Sequence, residues 1–364
     1  MRALLYVGDG KVELTEALEV REPEAGEVLV RIKASGLCHS DLSVINGTIA
    51  WPAPSVLGHE GAGIVERVGP GVTAVKPGDH VVLNTLAACG TCEECRQNRP
   101  TRCVSTLGNR STPFTLNGQP VGNFAATSTF AEFTIVKEPQ AVPIDKSVPL
   151  DVACLIGCGV LTGVGAVLNR AEVTKGQTAA VFGIGGVGLN VIQGLKLSGA
   201  SRIIAVDLLA DKEALAREFG ATDFLLAGSV DAGKTIREML PAARAVFGSG
   251  GCDWAFECTG SPKALQSAVD SLGWGGTCVI VGMPPATAVL PLTIVQMCFV
   301  DRAIIGCRYG SSVPGKDIPR YIDLYQKKEL KLDELVSKRY PIASYQQAFD
   351  DLHHGKLARG VLTF

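Results

Sequence analysis

The sequence predicts an α/β protein with two parts, a β-rich domain and a doubly wound parallel sheet. Before residue 145 it consists of short alternating apolar and polar runs separated by Pro/Gly turns, a pattern typical of strands. Beyond that point near-continuous apolar strands alternate with helical patterns, which favours a parallel sheet covered by helices on both faces. The length of 364 residues is consistent with two or three domains.

The first part contains three clear strand patterns. Val28–Lys33, Gly63–Val68 and His80–Leu83 read as strands, and Pro77–Asp79 supplies a turn before the third. Long helical patterns are scarce in this part of the sequence. We therefore expect a β-rich, partly barrel-like domain here.

The second part alternates strand and helix patterns. The predicted strands are Thr178–Phe182, Arg202–Val206, Ala221–Leu226, Asp253–Glu257 and Thr277–Val281. The predicted helices are Val187–Leu197, Asp211–Phe219 and Lys263–Leu272, with two more near Pro319–Lys327 and Ser344–His353.

Composition excludes several classes of function. Hydrophobic residues make up 46% and the net charge is −2, so there is no electrostatic reason to expect nucleic acid or an anionic membrane as partner. The sequence shows neither a signal-peptide pattern nor an apolar run of membrane-spanning length. Twelve cysteines without a signal peptide indicate reduced thiols or metal ligands, and hence a cytoplasmic protein.

A glycine-rich segment follows the first strand of the second part. Gly183, Gly185 and Gly188 form a G-x-G-x-x-G pattern, which also includes Gly186 and Val187, where a strand ends and a helix begins. The first glycine permits a tight turn, the second lets a pyrophosphate approach the backbone, and the third lets helix and strand pack closely. The helix N-terminus offers N–H groups to phosphates. The pattern predicts a Rossmann-type dinucleotide site, with a nucleotide-free glycine turn as the alternative.

An acidic residue completes this pattern. Asp207 ends the next strand, about 20 positions after the glycines, where it can accept hydrogen bonds from the adenosine ribose hydroxyls. Its carboxylate would repel a 2′-phosphate, so NAD is predicted rather than NADP.

Four cysteines lie close together in a polar, turn-rich segment. Cys89, Cys92, Cys95 and Cys103 can close a tetrahedral shell of four thiolates that leaves no open position, which is typical of a structural zinc. An iron–sulfur cluster and unrelated free thiols are the alternatives. The segment has little core of its own, so metal binding should supply its ordering energy.

Two more cysteines and a histidine stand in glycine-rich segments that are far apart in the sequence. Cys38 lies in GLCHSD, His59 in GHEGAG and Cys158 in GCG. Two thiolates and an imidazole would bind zinc and leave a fourth position open. Spacing alone does not reveal such a site, because taken singly each cysteine is more often a small buried residue and the histidine a structural one.

The segments GLCHSD, GHEGAG, CGTCEEC, LIGCG and VFGIGGVG occur in the order found in zinc-containing medium-chain alcohol dehydrogenases, and the sequence resembles that family over nearly its whole length. The family's zinc-free quinone reductases lack the Cys and His ligands, so they are not a match. The resemblance implies a GroES-like catalytic domain at residues 1–159 and 309–364 with both zinc sites, and a Rossmann NAD-binding domain at residues 160–308. It also implies hydride transfer between an alcohol and NAD+, with one catalytic and one structural zinc.

The resemblance assigns the catalytic zinc site residue by residue. Cys38, His59 and Cys158 are the implied ligands, and Glu60 is either a transient ligand or a carboxylate beside the metal. Asp41 is the implied partner of the other ring nitrogen of His59, with a helix or turn cap as the alternative.

A proton must leave this site during alcohol oxidation. The resemblance gives Ser40 the role of passing it from the substrate hydroxyl towards the nicotinamide ribose, with an ordinary turn residue as the alternative. Many relatives have a histidine three positions later, where this sequence has Ser43, so the exit is expected to use water. Cys154, one helical turn before Cys158, is interpreted as a packed thiol.

Four positions match cofactor contacts of the family. His39 and Arg359 match contacts to the pyrophosphate, Thr162 one near the nicotinamide, and Lys212 one at the adenosine ribose. The alternative for each is an ordinary surface or helix residue.

The substrate pocket is the least readable region. Thr85, Phe124 and Leu107 fall where relatives line the cleft, and Trp51 is either a further lining residue or a rim or core residue. Apolar walls favour a primary alcohol with an aliphatic or aromatic tail, or a secondary alcohol. Glutathione-dependent formaldehyde dehydrogenases use an arginine after the structural-zinc loop. Leu107 stands at that position and Arg110 nearby, so S-(hydroxymethyl)glutathione dehydrogenase is the alternative activity.

The long segment between Cys103 and Phe130 is typical of dimeric members of the family, so we expect a homodimer, with a tetramer as the alternative. Pairing is expected around Pro291–Gly306. The expected partner is a small-molecule alcohol or aldehyde, without nucleic acid or membrane.

The sequence disfavours two other classes of protein. A zinc-ribbon-like nucleic-acid-binding protein would need only the four clustered cysteines, but the acidic balance and the complete dinucleotide pattern argue against it. A non-catalytic relative would keep only fold and nucleotide binding, and the joint presence of Cys38, His59, Cys158 and Ser40 argues against that.

Overall fold

A computed structural model describes residues 1–241 and 250–364 of the chain. They form two compact units, unit 1 (Met1–Leu161 and Ser312–Phe364) and unit 2 (Thr162–Ser311). The division falls near the predicted boundaries of residues 159 and 309. Residues 242–249, which belong to the predicted α/β domain, lie outside the described ranges.

The strands and helices are numbered in chain order. The strands are β1 (Ala3–Gly8), β2 (Lys11–Thr15), β3 (Leu18–Val20), β4 (Glu27–Gly36), β5 (Ser55–Val56), β6 (Glu60–Val68), β7 (His80–Leu83), β8 (Phe114–Leu116), β9 (Gln119–Asn123), β10 (Phe133–Lys137), β11 (Ala141–Pro143), β12 (Thr178–Phe182), β13 (Arg202–Asp207), β14 (Asp223–Leu226), β15 (Cys252–Glu257), β16 (Leu272–Ile280), β17 (Ala303–Gly306), β18 (Val336–Pro341) and β19 (Arg359–Thr363). The helices are α1 (His39–Ile45), α2 (Glu93–Arg96), α3 (Leu150–Ala153), α4 (Gly159–Gly165), α5 (Gly186–Leu197), α6 (Lys212–Phe219), α7 (Ala232–Met239), α8 (Pro262–Asp270), α9 (Ile294–Cys298), α10 (Pro314–Gln326) and α11 (Tyr345–His353).

Unit 1 is built on two sheets. One has the order β2-β1-β5-β9-β8-β3, and the other has the order β11-β7-β6-β4-β19-β18 with β10 also paired to β4. Along β4 the alternate residues Val28, Val30 and Ile32 are buried in one apolar cluster with Val65 and Leu83 of the neighbouring strands. The alternation seen in the sequence therefore marks the face of the strand that is turned to the core.

The strand β4 positions much of the candidate site. One of its edges pairs with β6 through the register Gly36–Glu60, and its other edge pairs with β10 and then with β19 through Gly36–Val361. Residues that are far apart in the sequence thereby lie on three adjacent strands.

Unit 2 contains a six-stranded parallel sheet in the order β14-β13-β12-β15-β16-β17. This is the 3-2-1-4-5-6 order of a Rossmann fold, in which the chain reverses direction across the sheet between the first and fourth strands, here β12 and β15. Ala180, Ile204, Ala255 and Cys278 on its central strands are fully buried. The near-continuous apolar strands of the sequence thus correspond to a sheet covered on both faces.

Some helix bounds differ from the predicted ones. The helix α8 ends at Asp270, before the predicted Leu272, because Leu272 begins β16 and pairs with Cys252. The helix α10 begins at Pro314, since proline is well tolerated in the first helical turn, and the predicted start at Pro319 lies inside it. The sequence analysis does not predict the short helices α7 and α9.

Within the two described ranges, no single helix is long and apolar enough to cross a membrane. One bent pair, Leu150–Gly157 with Gly159–Ala171, meets the length and composition criteria jointly.

Candidate metal centres and dinucleotide crevice

The predicted ligands Cys38, His59 and Cys158 come together in unit 1, with Glu60 beside them. Cys38 stands between β4 and α1, His59 directly precedes Glu60 at the start of β6, and Cys158 follows a 3-10 turn at Cys154–Gly157. One potential ligand atom from each of the four residues lies within 4.8 Å of the others. The Cys38, His59 and Glu60 side chains are buried and Cys158 is half-buried.

Asp41 holds the histidine and the two loops around it. Its Oδ1 lies 3.3 Å from Nδ1 of His59 and accepts a hydrogen bond from the Gly58 N–H at 3.0 Å, while its Oδ2 accepts from the Cys38 N–H at 3.2 Å. Asp41 is fully buried. The geometry fits the predicted orienting partner of His59, because fixing one ring nitrogen leaves the other free for a metal.

Glu60 forms a buried ion pair with Arg359 of β19. The Glu60 Oε1 to Arg359 Nη2 distance is 2.5 Å, and Arg359 Nη1 donates to the Leu37 carbonyl at 3.1 Å. Glycines make room for both side chains, since a Cβ at Gly36 would lie 2.3 Å from Glu60 Oε2 and one at Gly159 2.2 Å from Arg359 Nη2. Arg359 thus lies beside the cysteine and histidine cluster, and its predicted contact with a pyrophosphate stays a prediction.

Burial and neighbouring charges shift the pKa values of the side chains in this cluster. Burial raises the pKa of Glu60 to about 7, although the charge of Arg359 opposes the shift. Burial alone would lower the pKa of His59, but the negative charges of Asp41 and Cys38 raise it well above its usual range. A hydrogen bond with the Cys158 thiol, aided by His59 and Arg359, lowers the pKa of Cys38 against the effect of burial.

The donor set fits a zinc ion. Two thiols and an imidazole are ligands that zinc prefers, and a three-ligand set leaves a position for a substrate. In the described part of the chain Glu60 Oε2 is buried without a hydrogen-bond partner, next to the three ligand atoms. A cation at this place would compensate that orphaned oxygen.

Ser40 and Ser43 lie on α1, beside this cluster. Ser40 is half-buried, with its Oγ 3.8 Å from the Cys38 Sγ. Ser43 is also half-buried, whereas His39 is exposed. The structure therefore places the predicted proton-transferring hydroxyl at the ligand cluster.

An aromatic wall adjoins the histidine. The ring of Phe124 packs edge-on against His59 at 5.6 Å between centroids and against Trp51 at 5.0 Å. The Arg110 guanidinium lies 5.3 Å from the centroid of Trp51. Leu107, predicted to line the cleft, is 72% exposed. Phe124 therefore contacts His59 directly and Trp51 packs on Phe124, while Thr85 is half-buried in the segment after β7.

The four clustered cysteines of the sequence converge on a second point in unit 1. One atom from each of Cys89, Cys92, Cys95 and Cys103 lies within 4.8 Å of the others, and all four thiols are free. Backbone N–H groups point at the sulfurs, with Cys92 N at 3.3 Å from Cys89 Sγ and Cys89 N at 3.4 Å from Cys103 Sγ.

In this second cluster hydrogen bonds favour a thiolate at Cys89, whereas burial raises the pKa of Cys95 to about 12. Hydrogen bonds from the Thr91 hydroxyl and from the Thr91 and Cys92 N–H groups lower the pKa of Cys89 to about 5. Thiolates are the form that binds a metal. Four sulfurs arranged in this way fit a zinc with a closed coordination shell.

The glycine pattern lies at the carboxyl edge of the unit 2 sheet, where a Rossmann fold has its dinucleotide crevice. Gly183 follows β12 with φ +91°, and a Cβ on Gly188 would lie 1.9 Å from the Gly183 carbonyl oxygen, so both positions need glycine. Gly185 precedes the first turn of α5, which begins at Gly186 and Val187. The turn therefore has the conformation that phosphate binding at a helix N-terminus needs.

Asp207, at the end of β13, lies against this turn. Its Oδ2 accepts a hydrogen bond from the Ile184 N–H at 2.6 Å and its Oδ1 one from the Leu209 N–H at 3.0 Å. Lys212 is half-buried at the first position of α6, and Thr162 is half-buried in α4. The carboxylate thus lies at the glycine turn, and its contact with an adenosine ribose stays a prediction.

Two features of the sites escaped the sequence interpretation. The ion pair between Glu60 and Arg359 joins residues 299 positions apart, and only the β6-β4-β19 strand order reveals it. The sequence predicts the buried Glu257 only as the end of the strand Asp253–Glu257. An acidic residue directly after the apolar run Trp254–Phe256 is the available signal.

Comparisons with known proteins agree with both units. Residues 24–146 match the family "Alcohol dehydrogenase GroES-like domain" and residues 186–327 match "Zinc-binding dehydrogenase". The chain is 37% identical over 379 aligned residues to the class-3 alcohol dehydrogenase of Cereibacter sphaeroides, covering 100% of this chain and 99% of that protein.

Two solved structures are similar over the whole chain. Benzyl alcohol dehydrogenase from Acinetobacter calcoaceticus is 35% identical with a TM-score of 0.92, over 100% of this chain and 99% of that one. An alcohol dehydrogenase zinc-binding domain protein from Burkholderia ambifaria is also 35% identical with a TM-score of 0.92, over 100% and 98%.

These matches and the cysteine and histidine cluster define a zinc-binding dehydrogenase with a GroES-like and a Rossmann part, which confirms the predicted fold. The chain belongs to the zinc-dependent medium-chain alcohol dehydrogenase family and is an oxidoreductase of the alcohol dehydrogenase type.

Proposed function

We propose that this chain catalyses the reversible oxidation of a primary or secondary alcohol to an aldehyde or ketone, with NAD+ as hydride acceptor. The observation that carries the proposal is the convergence of Cys38, His59 and Cys158, with ligand atoms within 4.8 Å, beside the buried Glu60. These residue types fit a catalytic zinc site, since three protein ligands leave one position for a substrate.

The contacts of the residues support the roles that we propose for them. When bound, zinc supplies a Lewis acid that makes an alcohol hydroxyl more acidic, and NAD+ supplies the hydride acceptor. Cys38, His59 and Cys158 hold the metal, and Asp41 orients His59 through Nδ1 at 3.3 Å.

Glu60, paired with Arg359, lies next to the ligand set, where it would serve as a transient ligand to the metal. Ser40 accepts the proton of the substrate hydroxyl and passes it on towards the nicotinamide ribose. Because Ser43 has no basic group, water carries that proton out of the site.

A second zinc is proposed at Cys89, Cys92, Cys95 and Cys103. Its closed thiolate shell has no position for a substrate, so this ion is structural. We further propose that His39 and Arg359 contact the cofactor pyrophosphate, Thr162 the nicotinamide and Lys212 the adenosine ribose.

NAD is proposed as the cofactor because Asp207 lies against the glycine turn. Replacing Asp207 by alanine removes both the ribose hydrogen bonds and the repulsion of a 2′-phosphate. We expect the KM for NAD+ to rise about tenfold and the preference for NAD+ over NADP+ to fall by at least as much. Steady-state kinetics with both cofactors measures this, and Asp211→Ala, at an exposed residue with no capping hydrogen bond, is the control. An unchanged preference would remove the role of Asp207.

The aromatic residues near His59 support the proposed substrate class. Phe124 lies against His59 and Trp51 packs on Phe124, which favours a primary alcohol with an aliphatic or aromatic tail, in keeping with the benzyl alcohol dehydrogenase among the similar structures. One observation favours S-(hydroxymethyl)glutathione as the alternative substrate. The Arg110 guanidinium lies on Trp51, where it could bind a carboxylate at the far end of a long substrate.

The proposal is tested by NAD+ reduction, followed as absorbance of NADH, across aliphatic, aromatic and secondary alcohols and S-hydroxymethylglutathione. Zinc content is measured on the same sample. We expect turnover of aromatic and aliphatic alcohols at about two zinc ions per chain. A strong preference for the glutathione adduct would promote the alternative. No turnover of any substrate by the zinc-loaded enzyme would contradict the proposal.

We expect the chain to form a homodimer, with a tetramer as the alternative. In the described residues, β17 is the last strand of its sheet and pairs only with β16. The neighbouring Ile294, Val295 and Phe299 are 78%, 60% and 59% exposed. An open strand edge next to exposed apolar side chains favours pairing with a second copy.

Twelve free thiols suit a reducing compartment, and we propose the cytoplasm.

A further inference from the structure

We propose that Glu257 is a positioning residue of the dinucleotide crevice, whose carboxylate fixes the loop 258–260 for binding of the nicotinamide half of the cofactor. This inference rests on the proposed function, since it needs a dinucleotide in unit 2. Glu257 is the last residue of β15 and its side chain is buried, with 1% of the residue exposed. Among residues 1–241 and 250–364 it has no ion pair with a basic side chain. Hydrogen bonds alone must therefore compensate its burial.

The carboxylate of Glu257 accepts hydrogen bonds from the loop 258–260 that follows it. Its Oε1 accepts from the Thr259 N–H at 2.6 Å and the Gly260 N–H at 3.0 Å, and its Oε2 lies 3.1 Å from the same Gly260 nitrogen. The Thr259 hydroxyl also donates to Oε1 and accepts from the Ser261 N–H at 2.9 Å. A carboxylate can accept all these bonds because it carries only acceptor sites. The residues between β15 and α8 are thus folded back onto the side chain of Glu257.

The same loop packs against the glycine turn. A Cβ on Gly183 would lie 2.3 Å from Thr259 Cγ2, so the Thr259 methyl group occupies the space that the first glycine leaves. On the other side, a Cβ on Gly282 would lie 2.8 Å from Glu257 Oε2 and 2.2 Å from the Gly260 nitrogen. The Cys258 N–H also donates to the Phe182 carbonyl at 2.9 Å. A shift of the loop would therefore change the wall of the crevice.

The strand order says which half of a dinucleotide this loop adjoins. The sheet consists of two mononucleotide-binding halves that meet between β12 and β15. Asp207, the predicted adenosine ribose contact, belongs to the half with β12, β13 and β14. The loop after β15 belongs to the other half, which takes the nicotinamide mononucleotide. Glu257 should therefore affect binding of a whole dinucleotide and not of its adenosine fragment.

The test compares NADH with AMP as probes of the full-length protein. Glu257→Gln keeps the size of the side chain but turns an NH2 group towards backbone N–H donors. We expect the Kd for NADH to rise about tenfold, while the Kd for AMP stays that of the wild type. NADH is titrated by its fluorescence and AMP by calorimetry.

Two further variants make the result specific. Asp253→Asn is the matched control, because Asp253 lies on the same strand and accepts from the Thr178 N–H and hydroxyl at 2.7 and 2.8 Å, at the amino edge of the sheet. It should change neither Kd. Thr259→Val keeps the methyl contact with Gly183 and removes one donor to Glu257, so it should weaken NADH binding in the same direction by less. This variant carries the test if Glu257→Gln does not fold.

The possible failures are distinguishable. Equal weakening of NADH and AMP by Glu257→Gln, or unchanged binding of both, would overturn the inference. A wild-type protein that binds AMP but not NADH would overturn the proposed function itself.

Discussion

Cys38→Ser is expected to lower kcat/KM for alcohol oxidation by about a thousandfold or more, which corresponds to about 4 kcal/mol of transition-state stabilisation. Zinc prefers thiolate to hydroxyl ligands, so the three-ligand set loses an essential member. His59→Ala should have the same effect. NADH binding should persist, because neither Cys38 nor His59 is among the proposed cofactor contacts. Zinc content, kcat/KM for alcohol oxidation and the Kd for NADH are measured on one preparation.

The matched control for this prediction is Cys154→Ser. Cys154 is fully buried in the 3-10 turn that precedes Cys158, but it does not belong to the group of converging ligand atoms. The same chemical change there should leave zinc content and turnover close to the wild type. Full activity of Cys38→Ser, or equal loss of zinc in both variants, would remove the catalytic assignment.

Cys92→Ser is expected to destabilise the fold without abolishing chemistry. Loss of one thiolate opens the closed sulfur shell, so the zinc content should fall from about two to about one per chain. The segment around α2 then loses its metal, and we expect Tm to fall by about 10 °C, as for a loss of 3–4 kcal/mol. Calorimetry and zinc analysis measure the change, and kcat per folded molecule should stay near that of the wild type.

Cys298→Ser is the control for this second prediction. Cys298 is an exposed thiol of α9, so the same substitution removes no metal ligand. It should leave Tm and zinc content unchanged. The structural assignment fails if Cys92→Ser keeps both zinc ions, or if it loses activity as completely as Cys38→Ser.

Much of the fold could be predicted from local patterns. The strands His80–Leu83 and Thr178–Phe182 have the bounds that the sequence predicts, because apolar runs are flanked there by turn residues. The helix α8 ends before its predicted end at Leu272, since a strand pairing between Cys252 and Leu272 overrides helical periodicity. The pairing of β19 with β18 and β4 has no local signature at all.

The candidate sites also differ in how far the local sequence predicts them. The four clustered cysteines and the glycine turn are encoded by spacing, so the sequence alone predicts them. Cys38, His59 and Cys158 needed a resemblance to a family, because their separations carry no metal-ligand spacing. The contact of Arg359 with Glu60 and the hydrogen bonds of Glu257 depend on three-dimensional packing of side chains, which no pattern in the sequence records.

The pairing of β4 with both β6 and β19 has a consequence for the order of events during synthesis. Glu60 is translated 299 residues before Arg359, its buried counter-charge. A nascent chain that has already made Cys38, His59 and Cys158 still lacks the strand that neutralises this carboxylate. The ion pair that closes this part of the sheet therefore joins one of the first strands to be synthesised to one of the last. The buried pair can form only when β19 has been made, so the strands β6, β4 and β19 complete their packing after the residues of the Rossmann unit have been translated.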